Sequence, residues 1–250
     1  MNIFVVNLKD SVDRRKSVEL QLNKLNLQYE VVEAVDGRAL SNEEIMQHTR
    51  ELNYACKPGE IGCSLSHLKV YRKIVEYNIP YALILEDDIQ LSADLPLILT
   101  ELPNIINKNT PSVTLLTHIH QYDAKIQHKI SPQHALHVLI EASCSHGYVI
   151  NASAAQNALD SLYPVWMVAD RWKIFREYSI AKLFAVLPPV ISHSELSKIS
   201  IINDQGLDIN TLKLKKLTEE NLYKKRPIKI KLKRILWLLI KRPFMNIIKQ

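Results

Sequence analysis

Apolar positions along the chain fall into two periods, and their order predicts the elements. Residues 3–6 form a short apolar run of strand type, followed after Asn7 by a polar segment over about 11–25 with Val18, Leu22 and Leu25 at helical spacing. Residues 29–35 read as a second strand closed by the turn pair Asp36-Gly37, so the chain opens as a βαβ unit. Pro58 and Gly59 precede a helix in which Ile61, Leu65, Leu68, Tyr71 and Val75 recur every three or four residues, a face broad enough to pack on a sheet. Residues 80–85 are continuously apolar, as in a central parallel strand buried on both faces, and the run stops at Glu86-Asp87-Asp88. Further strands are expected at 113–117, 136–140, 147–150 and near 180–187, with a helix over about 152–162. Alternating strands and helices predict an α/β fold with a mostly parallel sheet.

Charge adds a boundary to this pattern. The 250 residues carry a formal net charge of +6, but residues 213–250 hold 13 Lys and Arg against Glu219 and Glu220, a net +11. Residues 1–212 therefore hold 19 basic and 24 acidic side chains, a net −5. The sequence divides into a weakly acidic body, 1–212, and a basic amphipathic helical tail, 213–250. Within the tail, Pro227 to Arg242 joins cations to an apolar cluster containing Trp237, a composition suited to an anionic membrane surface. Nucleic acid is a poorer partner, because the acidic body offers no supporting basic face. No apolar run reaches the ~20 residues that span a bilayer. The amino terminus lacks the pattern of a signal peptide. Cys56, Cys63 and Cys144 form no close pair, which fits a reducing compartment.

The acidic triplet carries the chemistry. Three carboxylates after a buried strand sit at its carboxyl end, where open α/β sheets bind ligands. In extended backbone Glu86 and Asp88 point the same way, so both can approach one oxygen-seeking divalent cation of the Mg²⁺ or Mn²⁺ type shared with substrate phosphates. Such a cation would offset charge on a departing diphosphate. The local pattern alone also fits a solvated acidic turn. With no GxxxxGK[ST] and no GxGxxG motif, P-loop and dinucleotide readings are poor.

The longer passage is more specific. Gly59-Glu60-Ile61-Gly62-Cys63-Ser64-Leu65-Ser66-His67 followed by Ala82-Leu83-Ile84-Leu85-Glu86-Asp87-Asp88-Ile89 resembles glycosyltransferase family 25, the lipooligosaccharide galactosyltransferases. Val6-Asn7-Leu8, Arg14-Arg15, Glu33-Ala34-Val35-Asp36-Gly37 and Ser145-His146-Gly147-Tyr148-Val149-Ile150 resemble further family segments, over roughly the first 200 residues. The resemblance implies a GT-A-like, Rossmann-type nucleotide-sugar-binding fold, a UDP-sugar donor (usually UDP-galactose), and inversion at the anomeric carbon. It also implies a lipid-linked oligosaccharide acceptor, and so a bacterial enzyme on the cytoplasmic face of the inner membrane. By position it makes Asp88 a direct metal ligand, Mn²⁺ being the expected ion, with Glu86 near the ribose or the metal's waters and Asp87 beside the donor. Asn7, Arg14 and Asp36 fall in the segment expected to hold the nucleotide.

Two further side chains complete the expected site. Asp170 lies between Trp166 and Trp172, which are suited to stacking on sugar rings, and is the candidate base for the acceptor hydroxyl. His193, after Pro188-Pro189, is the candidate third metal ligand. His118, His120, His128, His134 and His137 match no zinc spacing and read as an exposed loop that contacts acceptor sugars. Two alternatives stand beside the transferase: another metal-dependent nucleotide-sugar or phosphate enzyme such as a nucleotidyltransferase, and a non-catalytic membrane-associated sugar-binding protein.

Overall fold

The computed structural model describes residues 1–194 and 209–250. In chain order the strands are β1 (Asn2–Asn7), β2 (Glu30–Glu33), β3 (Tyr81–Leu85), β4 (Ile89–Leu91), β5 (Ser112–Leu115), β6 (Gln121–Lys129), β7 (Ala135–Glu141), β8 (Gly147–Asn151), β9 (Lys182–Leu187), β10 (Ile191–His193) and β11 (Ile247–Lys249). The helices are α1 (Val12–Lys24), α2 (Asn42–His48), α3 (Pro58–Glu76), α4 (Leu95–Ile105), α5 (Ala152–Leu162), α6 (Trp172–Glu177), α7 (Ile209–Lys225) and α8 (Ile228–Leu236). Among the described residues nine strands form one sheet in the order β11-β6-β7-β9-β5-β8-β3-β1-β2, while β4 and β10 make a separate ribbon.

The α/β class stands, but the sheet is not mostly parallel. β1 pairs in parallel with β2 and β3, and β5 with β9, whereas the other five pairings are antiparallel. The apolar run of β3 reports burial of both faces, which it has, and not the direction of its neighbours: β1 is parallel to it and β8 antiparallel. Because β8 runs antiparallel between β3 and β5, the carboxyl ends of β1, β2, β3, β5 and β9 and the amino end of β8 share one edge.

Alternation along each strand builds two cores. Phe4, Val6, Ile84 and Ile150 face Ile61, Leu68, Tyr71 and Ile74 of α3, alanines 154, 155 and 158 of α5, and Phe175 of α6. Ile3, Val5, Leu83 and Leu85 face Val18 and Leu22 of α1 and Leu95, Ile98, Leu99 and Leu102 of α4. The result is a sheet between two helical layers. α3 approaches the turn after β2 backbone to backbone: a Cβ on Gly37 would lie 1.7 Å from the Pro58 carbonyl oxygen, and one on Gly62 would lie 2.5 Å from the Gly37 nitrogen.

The histidine-rich stretch is ordered β structure rather than a loop. β6 and β7 form a hairpin in which His137 is buried with Nδ1 2.9 Å from the Asp123 carbonyl, and His134 closes the turn against Ser131. The boundary drawn after Leu212 falls inside α7, and the basic segment beyond it is docked on the body. Arg226 and Arg234 both pair with buried Glu177, Arg171 reaches Glu219 at 2.6 Å, and Arg176 lies over the Trp237 ring at 4.2 Å. After a π-helical turn at Trp237–Lys241 the chain ends by pairing β11 with β6 at the sheet edge.

Candidate active site

The shared edge of the sheet opens into a cleft of about 640 Å³. Its walls include Arg14, Asp36, Glu86, Asp87, Asp88, Asp170 and His193, so seven of the eight residues singled out in the sequence meet there. Each arrives from the end of an element: Glu86 to Asp88 from β3, Asp36 from the turn after β2, Arg14 from the first turn of α1, His193 from β10 and Asp170 from the turn before α6.

Asn7 is the exception. It is buried behind the wall, and its amide donates to Asp87 Oδ2 at 2.6 Å and to the Ser11 carbonyl at 3.1 Å. With both amide protons used inside the protein, Asn7 supports Asp87 and is not among the residues that line the cleft. Arg14 Nη1 sits 3.3 Å from Asp87 Oδ1 and 3.7 Å from Asp88 Oδ2, spanning the two acids. Asp36 accepts from the Arg38 guanidinium at 2.7 and 2.8 Å and from the Arg38 amide at 3.0 Å; these bonds, chiefly from the Arg38 side chain, hold its pKa below the usual value.

The three triplet carboxylates have different environments. Burial works against ionisation of Glu86, but His67, 3.4 Å away, and the Ser145 hydroxyl, donating at 2.6 Å, outweigh it and leave the pKa at about 2. Burial raises that of Asp87 against the pull of Asn7 and Arg14. Burial, then the Glu86 charge, push Asp88 up to about 6. Asp88 Oδ1 is buried without a hydrogen-bond partner, an anionic oxygen that a divalent cation would satisfy, so the residues fit such an ion.

Behind Glu86 runs a buried polar chain that sequence reading did not assemble. Tyr71 and Tyr148 hydroxyls are 2.7 Å apart, and Tyr148 lies 2.7 Å from His67 Nδ1, whose other nitrogen faces Glu86. His67 and Tyr71 lie four residues apart on α3, which is the available sequence signal, but Tyr148 joins them only because β8 pairs beside β3.

The tryptophans correct an expectation. Trp166 and Trp172 are 2% and 1% exposed, packed on Tyr178 and on Tyr148 and Phe175, so neither offers a face to a sugar. Trp172 instead donates to the Cys144 carbonyl at 3.0 Å, while Asp170 Oδ2 accepts from the Cys144 amide at 3.1 Å. The tyrosine on the wall is the half-buried Tyr54, beneath Lys215 of α7 at 4.7 Å; Lys215 also pairs with Glu60. None of the five histidines of the β6–β7 region lines the cleft.

A family model described as glycosyltransferase family 25 (LPS biosynthesis protein) matches residues 1–172. This chain belongs to that family. Human procollagen galactosyltransferase 2 is 29% identical over 166 residues, 62% of this chain and 26% of the relative. Its mouse counterpart is 34% identical over 97 residues, 35% of this chain and 16% of the relative. A glycosyltransferase 25 family member of Drosophila melanogaster is 34% identical over 101 residues, again 35% of this chain and 16% of the relative. The chain thus matches about a quarter or less of these relatives' length. A solved glycosyltransferase involved in glycosylation of the major capsid of PBCV-1 aligns over 88% of this chain and 98% of its own, with 12% identity and a TM-score of 0.36. The family-25 match includes the acidic triplet, Ser145 to Tyr148 and Asp170, and ends before His193 and Lys215.

Proposed function

We propose that this family-25 glycosyltransferase moves a hexose, galactose above others, from a UDP-sugar to a hydroxyl of a lipooligosaccharide core, with inversion. The observation that carries the reading is the meeting of Glu86, Asp87 and Asp88 with Asp170 and His193 in one cleft at the strand ends. The family description favours a lipopolysaccharide-type acceptor, and the names of the animal relatives favour galactose.

Asp88, Glu86 and His193 would hold the divalent ion, Mn²⁺ before Mg²⁺, which when bound supplies positive charge beside the donor diphosphate. Arg14 holds Asp87 and Asp88 in place and adds a fixed cation at the same wall. Asp170 serves as base. One of its oxygens is fixed by the Cys144 amide, while the other makes no hydrogen bond among the described residues and can take the acceptor proton. As the acceptor oxygen bonds to the anomeric carbon, the bond to the diphosphate breaks, its electron pair leaves with UDP, and the hydroxyl proton passes to Asp170.

UDP release from a panel of UDP-sugars, with Mn²⁺ or EDTA and with or without truncated lipooligosaccharide, tests this. The expected outcome is metal-dependent release with one donor, increased by acceptor and reduced at least about a hundredfold in Asp88→Ala. Folded protein that releases no UDP from any donor overturns the reading.

A lipid-linked acceptor calls for a membrane-facing surface, and α8 together with the π-helical turn after it would provide one. Leu232, Ile235, Leu236, Leu239 and Ile240 are all exposed along one helical stripe, flanked by Lys229, Lys233, Lys241 and Arg242. No described helix is long and apolar enough to cross a membrane. Flotation with phosphatidylglycerol-containing vesicles is expected for the wild type and lost when Leu236 and Leu239 are both changed to Asp.

A further inference from the structure

We infer that Cys144, His146 and His193 form a thiolate–imidazole site in the cleft that binds Zn²⁺ in preference to Mg²⁺ or Mn²⁺. One ligand atom from each of these side chains lies within 4.8 Å of the other two. The rings of His146 and His193 are 3.9 Å apart, facing each other at 35°. His146 is 2% exposed, and neither of its nitrogens has a hydrogen-bond partner. Polar atoms buried without partners destabilise the fold, and a metal bond at one of these nitrogens removes part of that penalty.

The backbone holds these groups together. Cys144 has a left-handed backbone, φ 73°, unusual for a side chain with a Cβ. Its amide is bound by Asp170 and its carbonyl by Trp172, which fixes the thiol at the cleft wall. The His146 carbonyl accepts from the Glu86 amide at 3.1 Å. His193 is fixed by pairing with Ile89, and the next amide, Ser194, donates to the Asp88 carbonyl at 2.9 Å.

Donor chemistry decides the ion. A thiolate and two imidazoles suit Zn²⁺ and its spectroscopic substitute Co²⁺, whereas Mg²⁺ and Mn²⁺ prefer carboxylates. Three protein ligands leave a position for water or a substrate oxygen. On binding, the Cys144 thiol releases its proton to solvent and the histidines bind as neutral rings. A second group, Cys63, His67 and Glu86, is equally compact, but His67 Nδ1 is already engaged by Tyr148 and Glu86 by Ser145. Because His193 is shared with the donor-side cation proposed above, the effect of Zn²⁺ on transfer rests on that reading; binding itself does not.

The test is Co²⁺ titration of the full chain, without donor or acceptor, followed by absorbance and then by displacement with Zn²⁺. The expected result is a stoichiometric thiolate-to-cobalt charge-transfer band with the strong visible bands of four-coordinate Co²⁺, both abolished by Zn²⁺. Cys144→Ser should remove the charge-transfer band and weaken Zn²⁺ binding at least about tenfold, His146→Ala should weaken it similarly, and Cys63→Ser should leave both unchanged. Absence of the band in the folded wild type, or its loss in Cys63→Ser with retention in Cys144→Ser, overturns the assignment. UDP release is read separately, so failure of sugar transfer is not mistaken for failure of this site.

Discussion

Glu86 and Asp88 stand two residues apart and are driven in opposite directions, to about 2 and about 6 from ordinary values of 4.5 and 3.8. The folded state favours the Glu86 carboxylate, so its contribution to stability is full above pH 4.5 and is lost as pH falls towards 2. Asp88 has the reverse sign: the folded state favours its protonated form, and that contribution is present below pH 3.8 and lost as pH rises through about 6. Each shift corresponds to on the order of 3 kcal/mol. Urea midpoints against pH in metal-free buffer should therefore lose much of their acid slope in Glu86→Gln, while Asp88→Asn should remove a decline between pH 3.8 and 6. A second residue-scale prediction concerns Tyr148, whose hydroxyl lies within 2.7 Å of both His67 and Tyr71. Tyr148→Phe leaves both of these buried groups without that partner and is expected to cost about 1–3 kcal/mol in denaturant unfolding. The triplet was legible because three acids end an apolar run, a contrast carried by adjacent residues. The polar chain behind it was not, because Tyr148 meets His67 across 81 positions and only through strand pairing.

At the scale of elements, local signals were readable where one physical cause dominated. The helix expected over 152–162 has those bounds, with the Asn151 side chain accepting from the Ala154 amide at its start. α4 was not among the expected helices; its two prolines are placed where a helix tolerates them, Pro96 in the first turn, where its missing N–H costs nothing, and Pro103 in the last. β6 went unseen because its residues 125–129 are exposed and mostly polar, and its partner β7 carries the burial. Direction of pairing has no local signature at all, which is why a sheet expected to be mostly parallel is mixed. The Asp36-Gly37 pair was legible as a turn, but its tighter constraint is contact with α3. Gly37→Ala would place a methyl 1.7 Å from the Pro58 carbonyl, so the turn or α3 must shift. The expected result is a lowered urea midpoint together with weaker UDP binding by calorimetry, since Asp36 moves with the turn.

For the molecule as a whole, the charge boundary in the sequence is real as composition but does not mark a detached piece. α7 brings Lys215 to the cleft, Glu177 is paired with Arg226 and Arg234, and β11 completes the sheet. Deleting residues 213–250 is therefore expected to lower the thermal midpoint and expose Trp166 and Trp172 to fluorescence quenching. The paired Leu236 and Leu239 substitutions are the cleaner probe of lipid contact, since both side chains are exposed. The sheet order has one more consequence. β8 is inserted between β3 and β5, and β9 lies beyond β5, so the cleft wall draws on segments from Val6 to Lys215. During synthesis the acidic triplet leaves the ribosome long before Asp170, His193 and Lys215 exist to face it. The cleft walls can therefore meet only once β8, β9 and α7 have been added, and through the earlier part of synthesis the three carboxylates lack the groups that later face them.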